Sequence, residues 1–381
     1  MRRSNRGDVD PFMVMDVMAA ARLEEASGRS IIHMEVGQPG TAAPKMAQAR
    51  LVSELEVDAL GYTVALGRID RRERIAKLYS NWYGIIVPPH RIVVTAGSSA
   101  AFTLAFAALF DQGERIAIGE PGYPSYRNIL KALSLETVSI HTQAENRYQP
   151  TLAEVAAVEN LAGLLVASPA NPSGTMLDKS ALKVLMDYCA EHDISFISDE
   201  IYHGIQYKGR AVSALEINDE CFVINSFSKY FSMTGWRVGW MVVPESHVRT
   251  VERLAQNMFI CAPHVAQIAA LGAMEAEPEL SKNFANYANN RLLMLDALPK
   301  MGFDKIAPPD GAFYVYADVS RWSDDSVAFS AQILEEAGVA VTPGLDFDRG
   351  RGHQTIRFSY AGTTEDIREG LTRLALFMKR L

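Results

Sequence analysis

Lys229 closes an apolar run in SFSKYFSMTGWRVGW (residues 226–240), with Gly235 and Arg237 close behind. A lysine supplies a nucleophilic amine that can condense with an aldehyde. Arginine offers a planar fork of donors matched to phosphate, and glycine lets the backbone approach a ligand closely. A lysine at a strand end is ordinarily a surface residue. Here its company of small hydroxyl residues and an arginine points to a phosphorylated cofactor that carries an aldehyde.

Four other segments extend that chemistry. In SFISDEIYHGI (195–205), Asp199 ends an apolar run and Tyr202 follows three residues on. A carboxylate of this kind keeps a pyridine nitrogen protonated, and a phenol can hydrogen-bond a ring hydroxyl. In SPANPSGT (168–175), Asn171 lies between Pro169 and Pro172, which restrict its backbone, and its amide suits the same hydroxyl. In TAGSSAAFTLA (95–105), Gly97, Ser98 and Ser99 open an apolar helix. Ser98 or Ser99 reads as the N-cap, and the helix N-terminus as an anion site. In TIRFSYA (355–361), Arg357 sits within an apolar strand. Turned inward, it needs an anion, for which a substrate α-carboxylate is suited. Singly, these are ordinary caps, turns and surface residues; together they describe a site.

The elements that must carry these residues alternate regularly. RIVVT, RIAIGE, ETVSIH, GLLVAS, SFISDE, CFVINSF and RVGWMVV read as strands, separated by helical patterns near 100–110, 125–133, 151–159 and 179–192. Short apolar strands between helices predict a largely parallel sheet covered on both faces. Ligands bind such sheets at the carboxyl ends of the strands, where AGSS, EPGYP, ASPANP, DEIY and SFSK fall. Helices are also expected at about 12–28, 45–57 and 69–83, and a long helical stretch over 245–300 broken near Pro263 and Pro278. AFYVYADV and TIRFSYA alternate as half-exposed strands should, with helices at 326–337 and 364–380. These predict a smaller α/β unit, on which the first helix packs.

The chain has 381 residues, 48% hydrophobic and 22% charged, with a net charge of −8. The acidic balance argues against nucleic-acid binding. The longest apolar run, Ala100 to Phe110, is too short to span a bilayer. The basic N-terminus leads into an amphipathic helix rather than a signal-peptide core, so a cytoplasmic location is expected. Three scattered cysteines and eight dispersed histidines show no metal-ligand spacing, so no metal is expected.

Taken together, these motifs resemble the class I/II aminotransferases, fold type I enzymes dependent on pyridoxal 5′-phosphate, over roughly residues 30–380. The resemblance implies an α/β fold: a large domain (45–280) with a mostly parallel seven-stranded sheet in an αβα sandwich, and a smaller α/β domain formed discontinuously by 1–44 and 281–381. It implies that Lys229 binds the cofactor as a Schiff base and that Asp199 pairs with the pyridine nitrogen. Asn171 and Tyr202 would hold the 3-hydroxyl, while Ser98, Ser99, Ser226 and Arg237 would hold the phosphate. Tyr123 would stack on the ring, and Gly37 and Arg357 would meet the substrate carboxylate. Tyr62, in LGYTVALG, resembles the tyrosine that reaches the neighbouring subunit's phosphate, which implies a homodimer with shared sites. The implied reaction moves an α-amino group from an amino acid to a 2-oxo acid by a ping-pong mechanism. A carbon–sulfur lyase or other eliminating enzyme would carry the same cofactor residues. Gly40-Thr41 replaces the acidic residue usual after the VGxP element, and NMFICAPHV (257–265) lacks the arginine some dicarboxylate-specific relatives place there.

Overall fold

The computed structural model describes all 381 residues. Its strands are β1 (Ile32–His33), β2 (Ile92–Thr95), β3 (Arg115–Glu120), β4 (Glu136–His141), β5 (Gly163–Ala167), β6 (Ser195–Asp199), β7 (Phe222–Ser226), β8 (Gly239–Val242), β9 (Tyr314–Asp318), β10 (Val339–Ala340), β11 (Thr342–Pro343) and β12 (Thr355–Ser359). The main sheet has seven strands in the order β2-β8-β7-β6-β5-β3-β4. All neighbours run parallel except β8, which is antiparallel to both β2 and β7.

The apolar runs are continuous because both faces of this sheet are covered. Side chains alternate along each strand, and the core divides accordingly. Leu164, Val166, Val223 and Trp240 join one cluster, with Ile75, Leu185 and Ala269 from the helices Ile69–Tyr83, Lys179–Glu191 and His264–Ala273. Leu165, Ile197, Ile224 and Met241 join the other, with Phe102, Leu130 and Val251 from the helices Ser98–Leu109, Ser125–Ala132 and Val248–Met258. Ile197 is fully buried; truncating it to alanine would cost about 2–5 kcal/mol.

A second core gathers around the antiparallel sheet β11-β12-β9, with Met294, Ile333 and Leu374 from the helices Glu277–Lys300, Ser326–Ala337 and Thr364–Met378. Pro278, expected to interrupt the long helical stretch, lies in the first turn of Glu277–Lys300, where a missing N–H breaks no hydrogen bond. β9 and β12 were expected half-exposed, but both are buried along nearly their whole length. The hydroxyls of Tyr314 and Tyr316 find partners inside, at Tyr202 and Thr355. The N-terminal helix Met13–Ala26 packs on this part of the molecule, Ala21 clustering with Leu334 and Ala340. No helix is long and apolar enough to cross a membrane.

Candidate active site

A cavity of about 500 Å³ opens at the carboxyl ends of the central strands, bounded by the loops after β5, β6 and β7, by the small sheet and by the N-terminal helix. Of the residues singled out in the sequence, it gathers Gly37, Ser98, Ser99, Tyr123, Asn171, Asp199, Tyr202, Lys229, Arg237 and Arg357. The amine of Lys229 donates to the Gly37 carbonyl at 2.6 Å and lies 5.8 Å from the centre of the Tyr202 ring. Burial, with the positive charges of Arg357 and Arg237, brings its pKa down to about 7. The lowered pKa favours the free base, the nucleophilic form.

Asp199 ends β6 and is 2% exposed. It accepts hydrogen bonds from the Tyr126 hydroxyl and from the Ile201 N–H at 3.0 Å, both neutral groups. Burial pushes its pKa up to about 6, while those two bonds and nearby Lys229 hold it down. A buried carboxylate with only neutral hydrogen-bond partners suits a cationic ligand group such as a pyridinium. The Tyr202 hydroxyl pairs with that of Tyr314 at 2.7 Å. A Cβ on Gly37 would collide with the same Tyr314 hydroxyl, which accounts for glycine there.

The helix Ser98–Leu109 begins without a side-chain cap. Its N-cap is Gly97, at φ 81° and ψ 171°, so Ser98 and Ser99 are the first two helical residues rather than the cap. Their first-turn N–H groups are left for an anion. Arg237 makes a single hydrogen bond within the chain, from Nη1 to the Thr234 carbonyl at 2.9 Å, and a Cβ on Gly97 would strike its guanidinium. Ser226 does not border the cavity. It is 1% exposed and lies behind Ser228, whose N–H donates to Ser226 Oγ at 3.0 Å; Ser228 takes the place at the wall. β7 ends at Ser226, and Ser228 lies in the turn beyond it.

Arg357 faces inward from β12 at 3% exposure. Its Nη1 donates to Asn171 Oδ1 at 2.8 Å, and Nη2 to the Glu35 carbonyl and to Thr342 Oγ1. The guanidinium carbon sits 4.3 Å from the Tyr314 ring centre and 4.6 Å from that of Phe347. Every acceptor is a neutral oxygen, and Nε is buried without a partner. Such a cation retains capacity for a carboxylate. Phe12, Val14, Met15 and Met18 make an apolar wall beside it.

Tyr62 lies elsewhere, 84% exposed. Residues 257–265 do not border the cavity either. Sequence reasoning passed over Tyr126, Tyr314 and Ser228. Tyr126 meets Asp199 across 73 residues, a pairing with no local signal. The hydroxyl content of SFSK was legible, but not which serine faces out. The side chains of Glu120, His141 and Asp348 come together in the manner of metal ligands. Both Asp348 oxygens are already engaged, however, by the N–H groups of Gly350 and Arg351 and by Arg351 Nε.

These groups fit pyridoxal phosphate: a buried lysine amine with a lowered pKa, a carboxylate without a cationic partner, and an open helix terminus beside an under-used arginine. The family model for class I and II aminotransferases matches residues 30–374. The chain is 45% identical to the valine–pyruvate aminotransferase of Mycobacterium tuberculosis, over 98% of this chain and 97% of that one. A crystal structure from Silicibacter pomeroyi superposes with a TM-score of 0.96 at 61% identity, covering 100% of both chains. The aspartate aminotransferase of Thermus thermophilus with maleate gives 0.93 at 30% identity, over 99% of this chain and 100% of that one. The chain belongs to the class I and II aminotransferases, enzymes that use pyridoxal phosphate to move amino groups between amino acids and oxo acids.

Proposed function

We propose that this aminotransferase takes α-amino acids with apolar side chains as donors, with Lys229 as the proton-transferring base and Arg357 as the carboxylate anchor. The observation that carries the reading is the wall of Phe12, Val14, Met15 and Met18 in the cavity that also holds Lys229 and Arg357. No cationic side chain lies on that wall, so an acidic donor finds no counter-charge there. The name of the mycobacterial relative, valine–pyruvate aminotransferase, supports the same donor class and pyruvate as the acceptor.

Pyridoxal phosphate, when bound, supplies an electron sink that weakens the bonds at the substrate α-carbon. Ser98, Ser99, Ser228 and Arg237 would hold its phosphate, Asp199 its ring nitrogen, Asn171 and Tyr202 its hydroxyl, and Tyr123 would cover its face. Arg357 and Asn171 fix the substrate carboxylate and thereby the direction of the α C–H bond. Lys229 Nζ, with a pKa brought to about 7, would take the α-proton and give it back, acting as base and then as acid. Water would supply the carbonyl oxygen of the departing 2-oxo acid, and the amino group would be retained in the site until a second 2-oxo acid collects it.

The active form in this proposal is a homodimer in which Tyr62 reaches the partner's site. Its 84% exposure away from this chain's own cavity supports that. The division into a large domain, 45–280, and a discontinuous small one, 1–44 with 281–381, is supported by two separate main cores, with Ala43 packing in the first and Ile201, Tyr202 and Ile205 in the second. A cytoplasmic location is consistent with three free cysteines.

The test is a half-reaction screen in which each amino acid is mixed with holoenzyme and loss of the cofactor's absorbance is followed. Valine, leucine and other apolar donors should react fastest. A fastest reaction with aspartate or glutamate would overturn the donor assignment.

A further inference from the structure

The helix that walls the cavity has no cap of its own, since Phe12 stands at its N-cap and makes no side-chain hydrogen bond. The N–H groups of its first turn are taken instead by Asp346, from the far end of the chain. Met13 N–H donates to Oδ1 at 3.1 Å and Val14 N–H to Oδ2 at 3.4 Å. Asp346 is 1% exposed. Its carboxylate satisfies two otherwise orphaned donors and meets the positive end of the helix. A second tie lies just ahead of the helix, where Arg349 pairs with Asp10.

The segment that carries both ties is anchored on the large sheet. Arg127 Nη2 donates to the Asp346 carbonyl at 2.6 Å, Gly122 N–H to the Phe347 carbonyl at 2.9 Å, and Arg351 Nη2 to the Glu120 carbonyl at 2.8 Å. The helix is therefore held in register with the cavity by a fixed point outside itself. Phe12, Met15 and Met18 occupy positions set by that register.

We propose that Asp346 is a positioning residue for substrate selection: by capping the N-terminal helix it sets the apolar wall against the substrate side chain. This rests on the reading of apolar donors given above. Larger apolar donors depend on the wall, whereas alanine, whose methyl group scarcely reaches it, depends on it little. A competing route would run through the charge on Arg357, which lies against Phe347, the neighbour of Asp346. That route would weaken every donor alike, because all share the carboxylate.

The experiment compares L-leucine with L-alanine in half-reactions of the wild-type holoenzyme and of Asp346→Ala, Asp346→Asn and Arg349→Ala. Asp346→Ala is expected to lower the leucine-to-alanine ratio of kcat/KM about tenfold, the usual range for a lost cap, through KM for leucine. Asp346→Asn, which keeps one acceptor, should restore part of it. Arg349→Ala, an exposed change that does not endanger folding, should lower the ratio about twofold to threefold. Equal losses for both donors, or an unchanged ratio in Asp346→Ala, would overturn the proposal. If Asp346→Ala does not fold, an unchanged ratio in Arg349→Ala does so. A wild-type enzyme with no preference for leucine overturns the donor reading and this inference with it. A leucine-preferring enzyme whose ratio survives overturns this inference alone.

Discussion

Gly97 offers a sharp test of how the phosphate end of the cavity is built. Its backbone lies at φ 81° and ψ 171°, a region that only glycine occupies readily. An added Cβ would strike the Arg237 guanidinium. Gly97→Ala should therefore do two separable things. The backbone strain should lower stability by about 1–3 kcal/mol, seen as a lower Tm of the apoenzyme. The displaced guanidinium should lose a charge-assisted hydrogen bond to phosphate worth about 1.5–3 kcal/mol, or roughly 10-fold to 150-fold in Kd. Apoenzyme is titrated with pyridoxamine 5′-phosphate, which binds without a covalent bond to lysine, and the Kd is followed by fluorescence. If the effect runs through Arg237, the same glycine change made in an Arg237→Ala background should alter Kd by less than about threefold, because coupled sites are not additive. Wild-type affinity in Gly97→Ala, or an undiminished effect in the Arg237→Ala background, would show that Gly97 does not position Arg237 for phosphate.

Other consequences follow from the same geometry. Tyr126→Phe removes a bond that holds Asp199 ionised. Affinity of the apoenzyme for pyridoxamine phosphate should weaken as pH falls through about 6, and the variant should move that limb to higher pH; identical limbs in the two proteins would count against the Tyr126 contact. Arg357→Lys loses the planar fork and should raise KM about 10-fold to 100-fold for every donor, with a smaller change in kcat, in steady-state assays across several amino acids. His33 is held at about 9 by hydrogen bonds to Glu35 and Glu25, against an ordinary 6.5. A raised value stabilises the fold fully below pH 6.5 and ceases to do so as pH rises through 9. The Tm difference between wild type and His33→Gln should accordingly shrink across that window.

Much of the site was legible because its residues stand at strand ends, where apolar runs stop and polar turns begin. Asp199, Lys229 and Arg357 are each marked by a charged side chain next to or within a buried strand. What escaped was whatever depends on direction or on distance along the chain. Ser226 ends its strand and Ser228 sits in the turn that follows, so the first lies behind the second, and the spacing of the two serines does not show where the strand stops. Tyr314 and Tyr316 look like the polar half of an exposed strand, yet both are buried because each hydroxyl has a partner inside. The capping of the N-terminal helix by Asp346 joins residues 332 and 333 apart. No local pattern announces it, since an aspartate in GLDFDRG reads as an ordinary turn residue.

The central claim is that Lys229 carries the cofactor and does the proton transfer. Holoenzyme reduced with borohydride, digested and mapped by mass spectrometry tests it most directly. One reduced cofactor per chain is expected, on the peptide that contains Lys229, and none on Lys229→Ala treated in the same way. The cofactor fixed to another lysine, or a Lys229→Ala enzyme that still transaminates at near wild-type rate, would contradict it.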